Sequence, residues 1–125
     1  MNELNYQAIF DVLQDVLPPV WEKVVFYAEY TEGSYSMKYF VNINGGSFVD
    51  CYQLKEFSKA QIIKVFMNID KMISPIRSQM EKGKRWNVLT LIVDASGKFR
   101  TEFDYADISE NTISYHEAWK EKYLK

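Results

Sequence analysis

A chain of 125 residues, 47% of them apolar, has material for one core of two packed layers, which argues against a disordered protein. A single cysteine, Cys51, excludes an internal disulfide and fits a reducing compartment. A net charge of −2, a pI near 5.4, a first segment lacking the basic and apolar regions of a leader, and no apolar run of membrane-spanning length predict a cytoplasmic protein without a membrane partner and argue against a nucleic-acid one, for which the basic central segment would be the surface.

The apolar residues of 3–17 (Leu4, Ala8, Ile9, Val12, Leu13 and Val16) recur at helical spacing, and Pro18-Pro19 stops the helix. Residues 21–30, 35–44 and 47–53 read as three strands. They are joined by a turn at Thr31-Glu32-Gly33-Ser34 and a tight turn at Gly45-Gly46, and so form an antiparallel meander. Ser58 and Gln61 have the spacing of a capping box. Behind them Ile62, Phe66, Ile69, Ile73, Ile76 and Met80 form a helical stripe suited to lying across a sheet, with a kink or break expected near Ser74-Pro75 and a stop at Gly83. Two further strands follow, 86–95 and 98–105, with a turn at Ser96-Gly97. A last helix over 114–124 places Tyr115, Trp119 and Tyr123 on one face. The predicted fold is α+β, a single domain over 1–125 in the order α-β-β-β-α-β-β-α, with helices packed on an antiparallel sheet. Strand order and oligomeric state are not legible in the sequence.

Charge is unevenly placed. Residues 1–54 hold seven acids against two bases, 55–85 eight bases against three acids, and 86–125 seven acids against five bases. Within Glu102–Glu110 lie Glu102, Asp104, Asp107 and Glu110 without one Lys, Arg or His. Carboxylates set among exposed aromatics suit capture of a basic protein surface. Catalytic signatures are missing. Cys51 and His116 lack a third orienting group and read as a buried strand cysteine and a helix-surface histidine. No CxxC, HxH or HxxxH suggests zinc, and Glu102, Asp104 and Asp107 lack the pattern of a calcium loop. Gly45-Gly46 is not a phosphate loop. No cofactor, metal or catalytic residue is expected. Trp21, Trp86 and Phe103 read as core.

Several segments in order carry a resemblance: Val20-Trp21-Glu22-Lys23-Val24, Ala28-Glu29, Gly33-Ser34-Tyr35, Trp86-Asn87, Leu89-Thr90, Gly97-Lys98-Phe99, Phe103-Asp104-Tyr105 with Asp107, and Trp119-Lys120 with Lys122-Tyr123-Leu124. Over nearly the whole chain this set resembles the YezG-like family of bacterial immunity proteins. The resemblance implies a cytoplasmic antitoxin, not an enzyme, that binds and neutralises the nuclease domain of a cognate LXG-type or type VII-secreted toxin. The residues expected at such a contact are the acids Glu102, Asp104, Asp107 and Glu110 and the aromatic anchors Tyr105, Tyr115 and Trp119. The alternative is a small ligand-binding domain or enzyme with a deep cleft between the last helix and the sheet, holding a carboxylate in apolar surroundings.

Overall fold

The computed structural model describes residues 4–108 and 110–125. It has the predicted α+β order, with three helices and five strands. The chain divides into two units. One holds the chain up to Pro19 together with Tyr52–Arg85, the other Val20–Cys51 together with Trp86–Lys125.

In the first unit, Asn5 caps helix α1 (Tyr6–Leu13) by accepting from the Ala8 N–H at 3.0 Å. The expected start of this helix at residue 3 lies outside the described residues. A 3-10 turn over Gln14–Val16 follows, and Leu17 is extended, as the residue before a proline must be. Helix α2 (Lys59–Ser78) starts with the expected capping box: Ser58 Oγ accepts from Gln61 N–H at 3.1 Å, and Gln61 Oε1 accepts from Ser58 N–H at 2.8 Å. Ile62, Val65, Phe66, Ile69 and Ile73 are buried along it, and α1 packs against α2.

Two expectations about α2 are corrected. The helix does not break at Ser74, because Pro75 falls in its last turn, where the missing N–H removes one bond and leaves little helix to distort. Nor does it run to Gly83. It stops at Ser78, where Arg85 folds back and donates from Nη2 to Ser78 O (2.8 Å) and from Nε to Met80 O (3.0 Å). The guanidinium thereby meets a terminal carbonyl and the negative end of the helix dipole.

The second unit is built on a five-stranded antiparallel sheet in the order β3-β2-β1-β4-β5. The strands are β1 (Lys23–Thr31), β2 (Ser34–Asn42), β3 (Val49–Asp50), β4 (Val88–Asp94) and β5 (Phe99–Asp104). The expected meander is present, and Gly33, at φ +78°, makes the β1–β2 turn, a conformation costly for other residues. Strand β3 is two residues rather than seven, since Cys51–Gln53 coil into a 3-10 turn that buries Cys51. Strand β1 is central and buried on both faces from Val24 to Tyr30. Helix α3 (Thr112–Tyr123) lies on the face that carries Val25, Tyr27, Phe40, Val88 and Ile92, where Trp119 and Ile108 complete the cluster.

Candidate interaction surface

The strand register sorts the polar residues of the α3-facing side into rows. One row runs Lys38–Tyr27–Thr90–Glu102 across β2, β1, β4 and β5, and the next runs Ser36–Glu29–Val88–Asp104. A helix laid on such a face needs polar tips of its own, because buried donors and acceptors without partners cost about 1–3 kcal/mol each. The aromatic and imidazole side chains of α3 supply them. Tyr115 donates its hydroxyl to Asp104 Oδ2 at 2.8 Å, Trp119 donates Nε1–H to Thr90 Oγ1 at 2.9 Å, and Tyr123 donates to Glu102 Oε1 at 2.8 Å. His116 Nε2 lies 2.7 Å from Glu29 Oε1, which also accepts from the Tyr27 hydroxyl at 2.5 Å. Among the described residues, every buried side-chain nitrogen and oxygen has a partner.

These bonds set the local acid–base character. Burial, and then the bond to Glu29, pushes the Tyr27 phenol far above its usual range. Burial and the bond to Asp104 do the same for Tyr115. The Tyr123 hydroxyl, with Lys122 and Arg100 nearby, holds Glu102 below the usual carboxylate range.

The expected contact residues therefore separate into two groups. Glu102, Asp104, Tyr115 and Trp119 work within the molecule. Trp119, expected as an aromatic anchor, is only 5% exposed and packs in the core, with rings of Tyr27, Tyr123 and Phe40 at 4.9, 5.3 and 5.5 Å. Its place beside Tyr115 and Tyr123 on one helix face was legible in the sequence, but which face met the sheet was not. Tyr105, Asp107 and Glu110 are exposed on the connection between β5 and α3, Tyr105 at 58%. Phe103, expected in the core, is half-exposed, with its ring 5.5 Å from that of buried Trp86.

Residues 105–108 of the connection are pinned. Asn87 Nδ2 donates to Tyr105 O (3.2 Å) and Ala106 O (2.7 Å), Asp104 Oδ1 accepts from Ala106 N–H (2.9 Å), and Ile108 is buried in the cluster under α3. Thr112 Oγ1 donates back to Ile108 O at 3.0 Å. Two aspects of this region escaped sequence reasoning. One is the reach of Glu29 to His116, 87 residues away. The other is Ile113, 77% exposed beside Glu110 at the start of α3.

Between α3 and β4–β5 lies an open cavity of about 220 Å³, lined in part by Glu102, Asp104, Tyr115 and Tyr123. It is smaller than typical small-molecule sites, and both its carboxylates are bonded to phenols. Among the described residues, no cluster of His, Cys, Asp and Glu has the makings of a metal site, and no helix is long and apolar enough to cross a membrane.

Comparison with known proteins supplies the family. An immunity protein YezG from Bacillus spizizenii (strain ATCC 23059 / NRRL B-14472 / W23) is 28% identical over 115 residues, covering 87% of this chain and 71% of that protein. An immunity protein YezG from Bacillus subtilis (strain 168) is 24% identical over 128 residues, covering 95% and 85% respectively. The model of the YezG-like immunity protein family matches residues 1–125, and the chain belongs to that family.

Proposed function

We propose that this chain confers immunity by binding a cognate toxin protein through the β5–α3 connection and the start of α3. On this reading the toxin domain is a nuclease, the chain acts in the cytoplasm, and no substrate is turned over. The observation that carries it is the exposure of Tyr105, Asp107, Glu110 and Ile113, with the backbone at Tyr105 and Ala106 held by Asn87 and Ile108 buried beneath α3. A nuclease must present basic groups to hold phosphates. Acids on a preorganised segment complement such a surface, speed the encounter and set its register. Tyr105 and Ile113 supply apolar area that loses water on contact. Glu102, Asp104, Tyr115 and Trp119 support this surface by fixing α3 and the end of β5.

The test is co-expression with a cognate toxin domain, together with binding of the purified pair. Wild-type chain is expected to rescue growth, to inhibit nucleic-acid cleavage stoichiometrically, and to associate more slowly as salt rises. A triple alanine variant at Tyr105, Asp107 and Glu110 that still rescues and binds with the same salt dependence would rule this surface out.

A further inference from the structure

The two edges of the sheet differ. One is β3, two residues long, and the other is β5, six residues long. Long exposed edges invite pairing with another strand. On β5 Phe99 and Phe103 are each 36% exposed, and the Arg100 side chain is 67% exposed.

Hydrogen-bond phase fixes which residues face outward. Asp94 donates its N–H to Lys98 O, so the pair at 94 and 98 is a bonded one. Alternation from there turns the backbone groups of Arg100, Glu102 and Asp104 towards β4 and those of Phe99, Thr101 and Phe103 away from it. Side chains alternate as well. Glu102 and Asp104 lie under α3, which places Phe99, Thr101 and Phe103 on the opposite side.

We propose that β5 joins edge to edge with β5 of a second copy of this chain, antiparallel about a two-fold axis at Thr101. The sequence Lys98-Phe99-Arg100-Thr101-Glu102-Phe103-Asp104 is complementary to itself when reversed. Thr101 faces Thr101 and the two exchange backbone hydrogen bonds. Phe99 faces Phe103, Arg100 faces Glu102, and Lys98 faces Asp104, each pairing occurring twice by symmetry. Outward-bonding residues pair only with outward-bonding residues, so the neighbouring registers lie two residues away. One of those puts Arg100 opposite Arg100 and the other puts Glu102 opposite Glu102. Charge thus selects the register centred on Thr101. The Arg100 guanidinium, now 3.0 Å from Glu102 of its own strand, gains a second carboxylate across the joint.

Sedimentation velocity of the purified chain, without toxin, tests this. A species of twice 14.8 kDa is expected at high concentration, weakening as salt rises. Thr101→Lys and Thr101→Glu each place like charges at the two-fold axis and should weaken self-association by on the order of tenfold or more. An equimolar mixture of the two should dimerise again. Thr101→Pro, which removes an outward N–H and leaves the bonds to β4, should be monomeric with an unchanged far-UV spectrum. A wild-type chain that stays monomeric throughout, charged variants that dimerise like wild type, or a mixture that fails to recover would each overturn the proposal. None of these outcomes depends on the toxin-binding reading.

Discussion

Trp119 and Thr90 form the test of how α3 is held. Thr90 is 2% exposed and Trp119 5%, and the bond between them is 2.9 Å long. Trp119→Phe keeps most of the ring packing but leaves the Thr90 hydroxyl short of its donor. The expected cost is about 2 kcal/mol, from lost ring area and the unmet polar group. Thr90→Val keeps the shape of the side chain and leaves the indole N–H buried without an acceptor, at about 1–3 kcal/mol. In the double variant both polar groups are gone, so it should cost less than the sum of the two by on the order of 1 kcal/mol. Urea unfolding of the four proteins measures this, with a Tm difference of about 4 °C per kcal/mol as a check. Additivity within about 0.3 kcal/mol would show that the bond does not hold α3. Because that ring is interior, Trp119→Phe should reduce toxin binding only by loosening α3, by much less than the loss of Tyr105, Asp107 and Glu110 together.

Burial, opposed in part by a backbone hydrogen bond from Tyr39, raises the Cys51 thiol to about 11. At pH 8 the folded protein should therefore resist iodoacetamide, with roughly one thiol in a thousand ionised, and react only on unfolding; rapid labelling of native protein would contradict this. Because this folded value lies above that of the unfolded chain, the stability it contributes is complete below about pH 8.5 and is lost as pH rises towards 11, which alkaline unfolding curves will show. Glu102 is shifted the opposite way, so its contribution is present above the ordinary carboxylate range and is lost as pH falls through its lowered value. Tyr123→Phe should move the Glu102 titration up towards that range, as read by carboxyl-carbon NMR, and an unmoved titration would discount the bond. Asn87→Ala should cost about 1 kcal/mol and loosen the backbone at Tyr105 and Ala106, raising their hydrogen-exchange rates, whereas unchanged exchange there would mean that the connection is held by other contacts.

The elements were largely legible because their signals are local. The Ser58–Gln61 box, the glycine at Gly33 and the stripe through Ile62, Phe66, Ile69 and Ile73 each act within a few residues. Strand order was not legible, since nothing local says that β4 inserts beside β1. The length of β3 was overestimated because Phe48 to Cys51 has strand composition, while only Val49 and Asp50 find partners, opposite Val41 and Phe40. The acidic segment was visible, but its division into internal and surface members was not. Tyr115 meets Asp104 and Tyr123 meets Glu102 across 11 and 21 residues, and only the path of α3 over the sheet decides those pairings. The same distance effect hid Glu29 beneath His116.

The central claim is that an acidic, aromatic connection between β5 and α3 captures the toxin. Its most direct measurement is the association rate and affinity for the purified cognate toxin domain of a Tyr105→Ala, Asp107→Lys, Glu110→Lys variant, followed across a salt series. Binding weakened by on the order of tenfold or more, with a flatter or inverted salt response, is the predicted result. Wild-type affinity and an unaltered salt response in that variant would contradict the claim.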